Sequence, residues 1–187
     1  MKRSLIIIIS SLLTFSAWGQ EVEMFSLEKE LDFTGIPKKT LQERSHAWFR
    51  TLGLVPSSEY DLLTFIGYRA DWVKRNCNLQ FKGKDYRTEY NFSISVISHA
   101  DGHCTFRLYR PLISSYRGDT TILRMDNIPV FYGGYNKGMF GAFRNKEARI
   151  AICNEVKRLL TEEFESMIPD LTRCLEDGVS GFDLVQE

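Results

Sequence analysis

The chain has 187 residues, of which 43% are hydrophobic and 26% are charged, and its 24 basic residues equal its 24 acidic ones in number. A chain of this length is typical of one domain with a core of its own. The even charge balance provides no basic surface for nucleic acid or for an anionic membrane, so we expect the protein to bind neither.

The N-terminus carries the three parts of an export signal. Lys2 and Arg3 form the positively charged region, Leu5–Leu13 is a short apolar run, and Ala17–Gly19 places small residues before a cleavage point at Gln20. The apolar run is shorter than the ~20 residues that a membrane-spanning helix requires. We therefore predict a cleavable signal peptide rather than an anchor.

Cleavage at this point divides the sequence into a signal peptide, residues 1–19, and a single domain, residues 20–187. Loss of Lys2 and Arg3 leaves 22 basic residues against 24 acidic ones, a net charge near −2. We expect this domain to be exported to the periplasm or secreted, with no membrane insertion after the signal is removed.

The first elements after the signal are a strand and an amphipathic helix. Glu23–Leu31 is predicted as a strand. Lys38–Leu52 is predicted as a helix, with Pro37 in its first turn and Gly53 at its end. Side chains at spacings of three and four form one stripe that would pack on a sheet: Leu41, Ser45, Trp48, Phe49 and Leu52.

Four strands are predicted in the middle of the chain. Asp61–Arg69 and Asp71–Phe81 are rich in aromatic and β-branched residues. Tyr86–Val96 alternates between core-type and polar residues, and Cys104–Tyr109 does the same after a turn at Ala100–Gly102. This alternation predicts a long antiparallel hairpin with one face on the core and one face open to water.

The segment Pro111–Lys146 has a different composition, with five glycines and six aromatic residues. Thr120–Arg124 is predicted as a short strand, and the rest as a long connection of the kind that often carries function. We call Phe131–Phe143 the aromatic loop. Its aromatic content argues against simple disorder.

The C-terminal part of the chain is predicted to be helical. Glu147–Ile168 holds an apolar stripe at helical spacing, and Pro169 either kinks this helix or starts a second one that ends at Gly178. The elements together predict an α+β fold, an antiparallel sheet of about five strands with two amphipathic helices packed on one face.

The order β-α-β-β-β-β-α resembles that of the domain of unknown function 4468, a secreted domain of Gram-negative bacteria with a TBP-like fold. The resemblance rests on the signal that ends at Gln20, the helix Thr40–Phe49 with its tryptophan near the end, the strand-turn-strand Phe92–Arg110 and the closing amphipathic helix. It covers about Phe25–Arg110 and the last helix. It implies a TBP-like fold, and it brings no established activity and no catalytic residues.

The four cysteines are widely spaced and form no CxxC motif, which argues against a zinc or thioredoxin-like site. Each one lies at an apolar position, which favours buried thiols. An exported protein also permits disulfides, and a bridge, if one exists, is predicted between Cys77 and Cys104 because both lie on predicted strands. The other two are Cys153 and Cys174.

No motif for catalysis or for a cofactor stands out, and we expect no cofactor and no metal. His99 and His103 flank the hairpin turn without further ligands, so we interpret them as solvated histidines. Gly133–Gly141 does not match a phosphate-binding loop, because Lys137 precedes Gly138 and no Ser or Thr follows at the required place. The sequence contains no G-x-S-x-G nucleophile motif.

Two surfaces remain as candidates for binding, the polar face of the hairpin and the aromatic loop. The side chains that we assign to them are Arg87, Glu89, Arg107 and Tyr109 on the hairpin, and Tyr132, Tyr135 and Phe140 in the loop. We predict a non-catalytic envelope domain that binds a partner protein or a small ligand through these surfaces. The alternatives are a hydrolase-type enzyme acting on envelope or secreted substrates, a purely structural envelope component, and an ordinary solvated sheet face.

Overall fold

The structure is a computed structural model that describes residues 24–115, 120–122, 130–131 and 146–178. The predicted signal peptide lies outside these residues. The strands in the described part are β1 (Leu27–Asp32), β2 (Ser57–Asp61), β3 (Thr64–Phe81), β4 (Lys84–Ser98), β5 (His103–Ser115), β6 (Thr120–Ile122) and β7 (Val130–Phe131). The helices are α1 (Lys38–Thr51), which lies between β1 and β2, and α2 (Lys146–Asp177), which follows β7.

All described strands form one antiparallel sheet. The order runs β2-β3-β4-β5, and the far edge of β5 pairs first with β1 and then with β6, which in turn pairs with β7. Five strands make up most of this sheet, and two helices pack against it. The predicted α+β class with an antiparallel sheet of about five strands is confirmed.

Two predictions for individual strands are wrong. Asp61–Arg69 and Asp71–Phe81 are not separate strands, because β3 runs through both with a register shift between Ala70 and Val73. A bulge of this kind interrupts the alternation of side chains without ending the strand. The strand β2 was not predicted, since its side chains are polar and mostly exposed and so show no apolar alternation.

Both helices cover the same face of the sheet, which we call the helix face. Trp48 and Phe49 of α1 are fully buried there, as predicted. The Trp48 ring meets the Phe106 ring edge-on with centroids 5.7 Å apart, and Phe164 of α2 stacks on Phe106 at 4.7 Å. The two helices and β5 therefore share one cluster of interlocking rings.

Polar contacts tie α1 to the end of α2. Arg44 Nη1 donates hydrogen bonds to the carbonyl oxygens of Leu175 and Glu176, each at 2.6 Å. These carbonyls lie in the last turn of α2, where no backbone N–H is available for them and where the helix dipole favours a cation. α2 runs through Pro169 as one helix, so no second helix starts there. Within the described residues, neither helix combines the length and the apolar character that crossing a membrane requires.

Cys77 and Cys104, predicted to pair only if a disulfide exists, are not bridged. Cys77 lies opposite Thr88 of β4, and Cys104 lies opposite Ser98 of β4. The two cysteines are therefore ten residues apart along the length of β4. At ~3.3 Å per residue this is about 33 Å, whereas a disulfide requires Cα atoms about 4.4–6.8 Å apart. Cys77 and Cys104 are buried free thiols. Cys153 and Cys174 are also buried, both on α2.

Candidate functional site

The face of the sheet away from the helices, which we call the open face, is polar. The pairing register places its side chains in rows across the strands. In one row Arg69 of β3 lies opposite Ser95 of β4, which lies opposite Arg107 of β5, which lies opposite Glu28 of β1. The neighbouring rows bring in Glu30, Glu59, Asp71, Ser93, Thr105 and Tyr109.

Both strands that pair with β4, β3 and β5, have a β-bulge beside the same short stretch of β4, Phe92–Ser93. We call this stretch and the two bulges the bulge level. β3 has an extra residue at Asp71–Trp72, and β5 has one at Arg110–Pro111. Each bulge holds a residue with positive φ, 62° at Trp72 and 53° at Arg110. Positive φ is uncommon for residues other than glycine, and backbone strain of this kind concentrates at binding and active sites. Bulges also redirect side chains.

On the β3 side of the bulge level, Arg69 contacts two carboxylates, those of Glu59 and Asp71. Its Nη1 donates to Glu59 Oε2 at 3.2 Å, and its Nε lies 3.0 Å from Asp71 Oδ2. Asp71 Oδ1 also accepts a hydrogen bond from the Ser93 hydroxyl at 2.8 Å. Burial by itself would lower the pKa of Arg69, but the two carboxylates outweigh burial and raise it. Both carboxylates are therefore held as ion pairs.

Tyr109 lies on the β5 side of the bulge level, opposite Ser93, and is partly buried. Burial raises the pKa of its hydroxyl, and the charges of Glu59 and Asp71 raise it further. The hydroxyl oxygen is buried and makes no hydrogen bond within the part of the chain that the structure describes. A buried hydroxyl without a partner costs free energy, so the bulges enclose an unsatisfied polar group that has no exposed surface of its own.

Two cations flank the Tyr109 ring. The guanidinium carbon of Arg107 lies 6.0 Å from the ring centroid and that of Arg110 lies 5.6 Å away. Arg107 is neutralised by Glu28, whose Oε2 is 2.8 Å from Arg107 Nε. Arg110 is exposed and forms no ion pair with any described residue. Its charge is therefore uncompensated by described neighbours.

The expectation that the polar face of the hairpin is open to water is wrong at its centre. Ser93, Ser95 and Thr105 are only 6%, 2% and 6% exposed. Their short side chains lie between longer ones on the neighbouring strands, such as Arg69 and Arg107 on either side of Ser95. The Thr105 hydroxyl is also bound, since it donates to Glu30 Oε1 at 2.7 Å.

The structure separates the predicted site residues into two groups. Arg107 and Tyr109 lie together at the bulges. Arg87 and Glu89 lie on the same face towards the other end of β4, and Glu89 pairs with Lys74 at 3.1 Å. There they line a shallow depression of about 1070 Å³ whose walls also include Asn76, Asn78 and Gln80. Between Arg87 and Ser93, six residues of β4 span about 20 Å.

The three predicted loop residues, Tyr132, Tyr135 and Phe140, lie outside the described residues. The turn histidines are described. His99 Nε2 lies 2.8 Å from the Thr105 hydroxyl, and His103 lies between two carboxylates, 3.6 Å from Asp32 and 4.0 Å from Asp101. No group of three or more potential metal ligands comes together in the described part of the chain.

Sequence reasoning missed Glu59, Asp71 and Trp72, and it gave Arg69 no role. The predicted strand break between Arg69 and Asp71 hid the fact that these residues sit two positions apart on one strand and face the same way. Had residues 64–81 been treated as one strand, the pair Arg69 and Asp71 would have stood next to the polar side of β4. The bulges themselves left no recognisable pattern in the sequence.

The arrangement is suited to binding. The Tyr109 hydroxyl is protonated at neutral pH, as in any tyrosine, and its raised pKa keeps it so. Arg110 adds a cation without an ion-pair partner among the described residues, and Trp72 adds an indole that is 65% exposed. These groups favour a ligand with an anionic or hydrogen-bond-accepting group next to an apolar part.

Comparison with solved structures identifies the fold. The chain is similar to a DUF4468 family protein from Bacteroides ovatus ATCC 8483, with a TM-score of 0.51 and 12% sequence identity over 81% of this chain and 86% of that one. A TBP-like protein from Parabacteroides distasonis ATCC 8503 aligns with a TM-score of 0.45 and 10% identity, over 82% of this chain and 94% of that one. The likeness to the DUF4468 family protein confirms the predicted resemblance at the level of the fold.

Comparisons with sequences give a different result. No protein-family model matches the chain, and no curated protein matches it.

Proposed function

We propose that the protein is an exported, non-catalytic envelope domain that binds a partner protein or a small ligand on its open face. The observation that carries this proposal is the pair of aligned bulges on either side of Ser93. They bring the strained residues Trp72 and Arg110 to the level of the buried Tyr109 hydroxyl. The aromatic loop, with Tyr132, Tyr135 and Phe140, is proposed as the second part of the binding surface.

The charges of this site favour one class of contact. Arg69 and Arg107 are each matched by carboxylates, so they set the shape of the surface more than its charge. Arg110, which is exposed, remains to contact a ligand. We therefore expect the ligand or partner to present a carboxylate, a phosphate or a carbonyl oxygen at this point.

The same contacts argue for a binding protein over the hydrolase alternative. A hydrolase uses an activated nucleophile or an available acid–base pair. Here Glu59 and Asp71 are held by Arg69, and the raised pKa of Tyr109 keeps its hydroxyl protonated, so no phenolate is present at neutral pH to act as a base. Burial also raises the pKa of the Cys77 and Cys104 thiols, so neither is an activated nucleophile.

The test compares two exposed arginines. Immobilised mature protein is incubated with envelope extract, and the species retained by wild type, Arg110→Gln and Arg50→Gln are quantified by mass spectrometry. Arg50 is an exposed residue of α1 on the helix side. We expect a species that is retained by wild type and by Arg50→Gln and is depleted at least fivefold with Arg110→Gln. Equal retention by all three proteins would refute a site at Arg110.

The aromatic loop is tested separately. Tyr135→Ala is expected to leave the melting temperature nearly unchanged and to abolish retention of the same species, because a ring that serves binding contributes contact area to the partner. A loss of several kcal/mol of stability would show that Tyr135 is a core residue instead. The open face would then remain as the only proposed binding surface.

A further inference from the structure

The tip of the β2–β3 hairpin exposes two leucines almost completely. Asp61 pairs with Thr64, so Leu62 and Leu63 are the two residues of the turn, and they are 94% and 96% exposed. Two aromatic residues flank them on the strands, Tyr60 and Phe65, whose rings pack edge-on at 5.8 Å. The tip is thus an apolar projection flanked by two aromatic rings in contact with each other.

The backbone of this turn makes the leucines more unusual. Leu62 has a φ of 54° at the first of the two central positions, where a tight hairpin turn of this type takes glycine. A leucine there adds backbone strain and exposes a large apolar side chain to water. In the part of the chain that the structure describes, the two-residue turn Lys82–Gly83 also has a positive φ at its first position, 49°, but it places a polar side chain there and a glycine after it. The Leu62–Leu63 turn is therefore unfavourable for stability, because of its backbone conformation, and for solubility, because of its exposed apolar side chains.

The charges near the tip discriminate between its possible occupants. Asp61 is the exposed carboxylate beside the turn, and the chain from Thr51 to Tyr68 contains no lysine or arginine. Glu59, the other carboxylate of this segment, is already paired with Arg69. An anionic lipid surface would repel this segment. Two copies that met tip to tip would bring their two Asp61 carboxylates close together, which is unfavourable. A pocket on another protein with basic residues at its rim matches both the apolar tip and the acidic flank.

We propose that the hairpin tip, Tyr60–Phe65, is a docking element that inserts Leu62 and Leu63 into an apolar pocket with a basic rim on a partner protein. This surface is separate from the proposed site at the bulges, because Leu63 lies about nine residues along β3 from Trp72, or about 30 Å. The strained turn presents two adjacent side chains at the end of a hairpin, which is the shape that a pocket admits.

Site-specific photocrosslinking tests this proposal in the full chain. Leu63 is replaced by p-benzoylphenylalanine in cells that produce the protein, and the matched control carries the same substitution at Lys84, an exposed residue beside the other hairpin turn. We expect a protein adduct of one mass at Leu63 and none at Lys84. The crosslinked peptide of the partner should be apolar and contain lysine or arginine, and the yield should fall at least fivefold with Asp61→Lys.

A competition experiment separates a pocket from non-specific stickiness. Excess unlabelled wild type should suppress the adduct, while excess of the double variant Leu62→Asn, Leu63→Asn should not. Circular dichroism and the urea midpoint of the double variant verify that it is folded. A lipid adduct, an adduct with twice the mass of the chain, a crosslink within the chain, or no adduct at Leu63 would each overturn the proposal.

Discussion

The two faces of the sheet bury their side chains in different ways. On the helix face, Trp48, Phe106 and Phe164 interlock as rings with no room for water between them. On the open face, Ser93 and Ser95 are buried between longer charged side chains that satisfy one another as ion pairs. Hydrophobic packing stabilises a fold strongly, whereas half-exposed ion pairs contribute little. We conclude that the helix face holds the fold together, which leaves the open face able to carry strain and an unpartnered hydroxyl.

The largest difference in stability should be between alanine variants of two tryptophans, Trp48 on the helix face and Trp72 on the open face. Trp48→Ala removes a fully buried ring and should lower the free energy of unfolding by about 3–5 kcal/mol. Trp72→Ala removes a ring that is 65% exposed and should change it by less than about 1 kcal/mol. Urea unfolding of both variants measures the difference. Similar midpoints for the two would show that the faces do not differ in this way.

The closure of the helix face should also protect Cys104 from alkylation. Burial raises the pKa of this thiol to about 11, although a hydrogen bond to Ser98 opposes the shift. At about pH 8 its thiolate fraction is then roughly a hundredfold below that of an ordinary cysteine. Peptide mass spectrometry after iodoacetamide treatment should find Cys104 unlabelled in the native protein and labelled in urea. Rapid labelling of the native protein would contradict a closed helix face.

Two variants that each remove one hydroxyl test whether the buried hydroxyls of the open face have hydrogen-bond partners. Tyr109→Phe removes a buried hydroxyl with no partner among the described residues, so stability should stay the same or rise by up to about 1 kcal/mol. Ser93→Ala removes a hydroxyl that donates to Asp71 at 2.8 Å and should cost about 1 kcal/mol. Chemical denaturation compares them directly. If Tyr109→Phe is the more destabilising of the two, the Tyr109 hydroxyl has a partner after all.

The smallest effect concerns two glutamates of α2 and depends on pH. Burial raises the pKa of Glu163, and Arg75 at 2.8 Å offsets this only in part. Because the folded pKa is above the unfolded one, the contribution of Glu163 is most favourable below the unfolded pKa and is lost as the pH rises through the folded pKa. Glu163→Gln should therefore be slightly more stable than wild type at about pH 7, and this gain should vanish at about pH 3.5.

Glu155 provides the control of opposite sign. A hydrogen bond from Arg158 lowers the pKa of Glu155. The stability from this pairing is present above the unfolded pKa and is lost as the pH falls through the folded one. Glu155→Gln should be slightly less stable than wild type at about pH 7, and this deficit should shrink as the pH falls through the folded pKa. Urea midpoints at the two pH values that shift in the same direction for both variants would contradict these assignments.

Much of the fold was predictable because its signals are local. The apolar stripe of α1 and the alternation in Tyr86–Val96 each depend on residues a few positions apart. The stripe placed Leu41, Ser45, Trp48 and Phe49 in the core correctly, but its last member, Leu52, is 37% exposed and lies just beyond the end of α1. The same reasoning found Arg107 and Tyr109 of the candidate site, because they lie on the polar positions of a clearly alternating strand. It failed at β2, whose polar residues carry no periodic signal.

The sequence by itself determined which side chains belong to the core, where the helices lie and which face of the hairpin is polar, since these follow from the spacing of apolar residues along the chain. Only the tertiary structure decided that Arg69, Asp71, Tyr109 and Arg110 meet at one level of the sheet. Their meeting depends on the register between β3, β4 and β5 and on one extra residue in each of two bulges. Register is a relation between distant segments, and a shift of one residue changes which side chains face each other while leaving the composition of every strand the same.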